Sequence, residues 1–328
     1  MGRQTTLKFD HLLLGRWRDH MPKNAAVLLA VSGGVDSLVM ADFLWRWQRL
    51  LKLELAIAHI HHGKKTGIQG RFRDRAAKTV MAFAKERDLP FWGNFKVKKS
   101  KIIVEGPKVT LKNEADFRQY RWQWLRKWQA QWQLTYDRQV FISTAHTADD
   151  LIETQLLRLL RGTGPEGLKA MSFRDHDIVR PLLQETKSTL VSVAKKRHLK
   201  WVEDPSNQKP DAFRNWLRLN WLKPLKRRWP AAAQNMARSL SHLVESFPSQ
   251  SFLKQKQGLK RQGLMAMPRV EQRRILVQYF RQQGLFNYTQ GHIDEILKRL
   301  DTGRRDLTFD LLGRRCVITP EWVALRPD

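Results

Sequence analysis

The stretch Val27–Ser37, VLLAVSGGVDS, restricts what this chain can fold into more than any other. Val27, Leu28, Leu29 and Val31, with Ala30 between them, read as a buried strand. Ser32-Gly33-Gly34 interrupts it. Asp36 and Ser37 then open a segment, Ser37–Gln48, whose Leu38, Val39, Phe43 and Leu44 recur at helical spacing. A strand, a glycine turn and a helix N-terminus together make a phosphate cradle. Glycines let the backbone approach, successive N–H groups converge on an anion, and the helix dipole favours negative charge. The spacing is neither the Walker pattern nor the dinucleotide fingerprint.

Strand-like and helical runs alternate through about residue 200. Leu53–His59 reads as a second strand and Phe91–Val97 as a weak third, with Val140–Ala145 a further one. Arg73–Arg87, Asn113–Gln133 and Ala148–Leu160 read as helices. This alternation predicts an α/β fold, a Rossmann-like parallel sheet with helices on both faces. Ligands then sit at the carboxyl ends of the strands. Ser32–Asp36, His59–Gly63 and His146–Asp150 each follow a strand directly, so all three are expected at one sheet edge. Gly63–Arg73 and Gly162–Gly167 read as loops. Glu203–Arg214, with Pro205 and Pro210, breaks the pattern.

A basic helical connector follows, and Phe247–Gln250 reads as a hinge. The remainder reads as a small α+β domain. Its helices are expected near Val270–Gln283 and Gln290–Leu300, and its strands at Leu307–Leu311, Arg315–Thr319 and Trp322–Leu325. The expected domains are therefore an α/β domain over 1–206, a helical connector over 207–246 and the small α+β domain over 247–328.

Charge points to the partner. Lys+Arg of 60 against Asp+Glu of 31 leaves +29, more than solubility requires, and implies a polyanion. The 13 tryptophans are unusual: some must be core, but Trp also stacks on unpaired bases. The runs Lys64-Lys65, Lys226-Arg227-Arg228 and Arg304-Arg305 are candidate phosphate contacts. No segment approaches the roughly 20 apolar residues of a spanning helix, and the first 20 residues lack a signal-peptide core. A cytoplasmic location and no membrane partner are expected. Cys316 is the single cysteine, which excludes a disulfide framework and a Cys-rich metal site.

Several further motifs stand in order along the chain. His59-Ile60-His61-His62-Gly63 follows the second strand. No cysteine or acidic cluster accompanies these histidines, so a metal site built from them is not expected. Glu114, Arg118 and Arg121 share one helix face. Ala145-His146-Thr147-Ala148-Asp149-Asp150 precedes Glu153-Thr154. LLRLLRGTGPEGLKAM (Leu156–Met171), Arg180-Pro181-Leu182-Leu183, Glu203-Asp204-Pro205-Ser206-Asn207, and Phe213-Arg214-Asn215 with Arg218 follow.

Over about residues 27–224 these blocks resemble the tRNA(Ile)-lysidine synthetase family of the pyrophosphate-loop (N-type ATP pyrophosphatase) superfamily. SGGVDS corresponds to the family's pyrophosphate loop. His59, His62 and Gly63 match its HxNHG block, with His61 in place of the asparagine. The LLRLLRG and EDPSN blocks separate this family from the other synthetases of the superfamily.

The resemblance implies a ligase that joins free L-lysine to carbon 2 of the wobble cytidine of tRNA(Ile) with a CAU anticodon. The route is an adenylated cytidine, and the leaving products are AMP and pyrophosphate. It implies ATP binding by Ser32, Gly33, Gly34, Val35, Asp36, Ser37 and His59. Mg2+ is expected on Asp36, Asp149 and Asp150. Asp36, Glu114, His146, Asp149 and Asp150 are the candidate catalytic residues, with Glu114 as base for the lysine amine. Lys64, Lys65, Arg118, Arg121, Arg161, Arg214 and Arg218 are the candidate tRNA or phosphate ligands. Long members dimerise, so a homodimer is one expected assembly. Two alternatives are a related tRNA sulfur transferase and a non-catalytic RNA-binding protein with a relic nucleotide site.

Overall fold

A computed structural model describes residues 2–63, 66–98, 101–105, 114–163, 165–205, 213–246, 258–285, 287–303 and 306–326. The chain runs α1 (Gly2–His20), β1 (Ala26–Ala30), α2 (Val35–Leu51), β2 (Glu54–His59), α3 (Gly67–Glu86), β3 (Phe91–Gly93), β4 (Phe95–Lys98), β5 (Lys101–Val104), α4 (Glu114–Tyr136) and β6 (Val140–Ser143). It continues through α5 (Ala148–Leu160), α6 (Pro165–Leu168), β7 (Arg174–Asp175), β8 (Ile178–Val179), α7 (Lys187–Lys196) and α8 (Phe213–Leu217). A π-helical turn (Arg218–Leu222) leads into α9 (Lys223–Arg228) and α10 (Ala232–Ser246). Last come β9 (Leu259–Lys260), α11 (Arg261–Met265), α12 (Arg269–Gln282), α13 (Gln290–Asp301), β10 (Leu307–Leu311), β11 (Arg314–Ile318) and β12 (Trp322–Arg326).

The main sheet has the order β3-β2-β1-β6-β8-β7, parallel throughout except for β7. Leu28 of β1 is opposite Ala56 on one side and Ile142 on the other. Both faces of β1 are buried. Val27 and Leu29 join the core formed with Leu38, Phe43 and Leu190, while Ala26 and Leu28 join Leu125, Trp128 and Trp132 of α4. An uninterrupted apolar run is what a central parallel strand requires, so the expected parallel α/β sheet is present.

Three local expectations change, and one helix has no counterpart in the sequence reading. That helix, α1 (Gly2–His20), buries Phe9, Leu13 and Trp17, which recur every four residues. Each such burial contributes about 2 kcal/mol. Gly67–Arg73 is the start of α3 rather than loop. The expected strand Phe91–Val97 is broken at Asn94, which is fully buried. Its Oδ1 accepts from the His61 backbone N–H (2.7 Å), and its Nδ2 donates to the His61 carbonyl (2.9 Å) and the Tyr120 hydroxyl (3.0 Å). That side chain pins the chain there, and β4 turns away to pair with β5. Within Gly162–Gly167, Pro165 begins the short helix α6.

By contacts the chain divides into two compact units, Met1–Glu153 with Met171–Asn235, and Thr154–Ala170 with Met236–Asp328. The expected hinge at Phe247–Gln250 and the boundary after residue 206 lie outside the described residues. The second unit holds an antiparallel sheet of order β10-β11-β12-β9, covered by Leu276, Phe280, Ile293 and Leu297 of α12 and α13. This is the small α+β arrangement the sequence predicts. No described helix is long and apolar enough to cross a membrane.

Candidate active site

The central strands β2, β1 and β6 are adjacent and parallel, so the loops after them meet at one edge. The loop after β1 is tightly held. Val31 N–H continues the ladder to the Ala58 carbonyl (2.9 Å), and the Val202 N–H donates to the Gly33 carbonyl (3.0 Å). Gly33 has φ +90°, and a Cβ there would meet Ala76 at 3.2 Å, so both conformation and space demand glycine. Gly34 has ordinary extended backbone, with only Ser32 Oγ near a built Cβ, at 3.6 Å.

Ser37 Oγ donates to the Gly34 carbonyl (2.9 Å) and accepts from the Ser32 N–H (3.2 Å). Ser32 Oγ lies 3.2 Å from Ser37 Oγ. Helix α2 starts at Val35 with no side-chain cap, so its first N–H groups present positive charge to the loop. His59 lies beneath this cradle rather than in it. Its ring is buried, and Nδ1–H donates to the Val31 carbonyl at 2.7 Å. Burial lowers its pKa to about 4, so the ring is neutral and fixes the loop backbone.

Asp149 and Asp150 act on Asp36 beside the loop. Burial raises the Asp36 pKa to about 6, with Lys187 opposing the rise and Asp150 and Asp149 adding to it. Lys187 Nζ stands 3.7 Å from Asp36 Oδ2, while the buried Oδ1 has no hydrogen-bond partner. Asp149 bonds the Lys226 ammonium and accepts from the Lys187 N–H (3.4 Å). Asp150 Oδ2 accepts from the Thr147 N–H (2.9 Å) and hydroxyl (2.8 Å), capping α5. Among the described residues no three His, Cys, Asp or Glu side chains close into a metal cluster. The donor set is nonetheless all hard oxygen, with one buried oxygen unsatisfied and ammonium groups against two of the acids. It suits a hard divalent cation that takes its remaining ligands from phosphate and water.

His146 Nδ1 lies 2.9 Å from Thr144 Oγ1. Burial lowers its pKa to about 4, against Asp150 and with Arg180, Arg121 and Arg118. Arg121 also acts on His62, whose pKa burial lowers to about 3. Arg118 and Arg121 of α4 therefore face the same edge as the loop. His61, at the family's asparagine position, is a buried ring whose Nε2–H donates to Asp74 Oδ1 at 3.0 Å.

Arg218 grips buried Glu153 through Nε (2.6 Å) and a second nitrogen (2.8 Å), with Arg214 Nε 3.9 Å away. Burial raises the Glu153 pKa and the arginine opposes it. These two arginines, expected on phosphate, are thus engaged by a carboxylate. Arg161 is exposed just past α5, in the second unit. Lys64 and Lys65 lie outside the described residues, as does the Glu114 side chain.

Sequence reasoning missed three site residues. Lys187 directly follows the helix cap Thr186, and Lys226, which bonds Asp149, is in sequence only one member of a basic run. Arg180 ends the Ile178-Val179 strand, buried, donating to the Ser172 carbonyl at 3.1 Å. Its place in RPLL was the available signal.

Comparisons with known proteins bear on this geometry. A PP-loop domain family matches residues 5–225. A tRNA(Ile)-lysidine synthase of Bdellovibrio bacteriovorus is 30% identical over 325 residues, covering 97% of this chain and 96% of that protein. One from Haemophilus ducreyi is 34% identical over 243 residues, 70% of this chain but 50% of that protein, so the chain matches half of its length. In fold, the chain is similar to the U34-tRNA thiolase NcsA from Methanococcus maripaludis with its 4Fe-4S cluster. The TM-score is 0.57 at 16% identity, covering 76% of this chain and 81% of that one.

Proposed function

The chain belongs to the PP-loop family of tRNA(Ile)-lysidine synthases, ATP-using enzymes of tRNA modification, and from this premise we propose the reaction it performs. It joins free L-lysine to carbon 2 of the wobble cytidine of tRNA(Ile) with a CAU anticodon. In the first step cytidine oxygen 2 attacks the α-phosphorus of ATP, and the bond to the β-phosphate breaks. Pyrophosphate departs toward the N-terminus of α2, where Ser32, Gly33, Gly34, Val35 and Ser37 offer donors fixed before the reaction. Asp36, Asp149 and Asp150 would hold Mg2+, which neutralises charge developing on the phosphates.

In the second step the lysine amine attacks carbon 2, the bond to oxygen 2 breaks, and AMP leaves. The amine must first lose a proton to a carboxylate, and Glu114 is our candidate. Arg118 and Arg121 suit the phosphates approached from α4. His146, held neutral, is suited to donating or accepting one hydrogen bond beside the nucleotide.

The observation that carries this reading is the buried, unpartnered Asp36 Oδ1 at the head of an intact phosphate loop. Sulfur transfer is disfavoured by this chain's chemistry. Its single cysteine, Cys316, is buried on β11 with a thiol pKa pushed up to about 12 by burial. The test is mass analysis of nucleosides from CAU-anticodon tRNA(Ile) incubated with the protein, ATP and lysine. Lysidine is expected, with one AMP and one pyrophosphate per lysine. A thiolated cytidine, or an unmodified one, overturns the reading.

A further inference from the structure

Helix α8 turns two aromatic rings outward. Phe213 and Trp216 are 52% and 41% exposed, stacked with ring centroids 5.7 Å apart and planes within 7°. Leu217 of α8 and Leu222 of the π-helical turn that follows are fully buried. The rings are therefore not a poorly packed core. They stand one turn from Arg218, which with Arg214 is anchored to buried Glu153, three residues after Asp150. Trp221 and Trp229 are exposed further along, with the Arg228 guanidinium 5.9 Å from the Trp229 ring centroid. Phe213–Trp229 contains Arg214, Arg218, Lys223, Lys226, Arg227 and Arg228 and no acidic residue.

We propose that the stacked pair Phe213–Trp216 is a platform for an unpaired nucleobase of the RNA substrate, a neighbour of the base that reacts. The inference rests on the tRNA reading above for the identity of that RNA. The surroundings select the occupant. A flat exposed aromatic pair matches the face of a base, and the cationic run matches the phosphates on either side of it. A duplex hides its base faces within the stack, so only a loop offers one. The Glu153 anchor holds the helix and hence the platform. A base stacked there would steady the loop while its neighbour is extruded toward the acidic cluster.

The test uses the full chain and two RNAs without ATP or lysine. One is a CAU stem–loop carrying 2-aminopurine beside the cytidine, and the other is a fully paired duplex of equal length. The wild type should quench the 2-aminopurine. The double variant F213A/W216A should bind the stem–loop roughly tenfold more weakly and lose the quenching. Its duplex affinity and salt slope should stay as in the wild type, and F213Y/W216F should restore stem–loop binding. Equal losses on both RNAs, or none on either, overturn the platform. So does a wild-type dimer that the double variant dissolves, because a second copy would then cover the rings. Wild-type quenching in a protein that forms no lysidine supports the platform while removing the ligase reading.

Discussion

Asp36 and Asp42 lie on the same helix, and their surroundings differ in kind. Asp42 has no exposed side-chain surface and is met by Arg46 at 2.7 Å, Arg197 at 3.0 Å and Arg87 at 3.2 Å. Arg197 in turn bonds Asp10 of α1 at 2.6 Å. That network ties α1, α2, α7 and the end of α3 together beneath the sheet. Asp36 keeps one buried oxygen without a partner, and its neighbours Asp149 and Asp150 oppose its ionisation. One carboxylate is satisfied on all sides, and the other carries unbalanced charge at a strand end. Balanced burial marks architecture, whereas unbalanced burial marks a place prepared for something else.

The largest effect expected from breaking this contrast is on chemistry. Asp36→Ala should lower single-turnover lysidine formation about a thousandfold or more. Its melting temperature should hold or rise, since a desolvated carboxylate is removed. Calorimetry beside the rate measurement checks both halves, and a melting point that drops with the rate would show Asp36 to be architectural. Asp42→Ala should do the converse. It strands buried arginines and should cost about 3–5 kcal/mol, lowering the melting temperature by about 10 °C. Activity per folded molecule in the cold should survive. A stable Asp42→Ala protein with a dead active site would reverse the assignment.

The sequence disclosed the site's position better than its internal pairings. Strand ends that carry Gly33, His59 or His146 leave local signals, because a glycine turn or a polar residue interrupts an apolar run. Pairings between distant residues leave none. Arg218 meets Glu153 and Lys226 meets Asp149 only through the fold, so both cations read as free phosphate ligands. The break at Asn94 is likewise tertiary, set by His61 and Tyr120. Helix α1 did carry a readable period in Phe9, Leu13 and Trp17. The polar Asp10, His11 and Arg16 between those positions break any continuous apolar run and mask the period. Asp42 was invisible for a related reason: an acid within an apolar helix gives no hint of the three arginines that surround it.

The glycines sharpen the contrast at smaller magnitude. Gly33→Ala forces a side chain into φ +90° with Ala76 at 3.2 Å. It should cost about 1–3 kcal/mol and weaken ATP binding together with stability. Gly34→Ala meets no such obstacle in the fold, so its stability should change by less than about 0.5 kcal/mol. Any loss there should appear in ATP affinity alone. Urea melts with and without ATP separate the two. Identical melts for both variants would mean the cradle is not held as tightly as its hydrogen bonds imply.

The smallest effect is a pH dependence whose two signs oppose each other. Asp36 has a folded pKa of about 6 against an ordinary value of 3.8. Between those values the folded chain holds more protons than the unfolded one, so this group favours folding increasingly as pH falls through 6. Above pH 6 it imposes a desolvation cost, which Asp36→Asn removes. The variant should therefore be more stable than wild type at pH 7, on the order of 1 kcal/mol after screening. That gap should close by about pH 4. Subtracting the variant cancels the titration of groups that do not interact with Asp36, including the distant repulsion within a chain of net charge +29. Activity should move the other way. Protonation removes the charge that binds a cation, so wild-type turnover at fixed low Mg2+ should fall as pH drops below 6, and added Mg2+ should restore it. Thermal melts and rates on one pH series test both signs. A stability gap that stays constant from pH 7 to pH 4 would mean that Asp36 does not titrate in this window. It would then be as well compensated as Asp42, and the distinction between the two carboxylates would be lost.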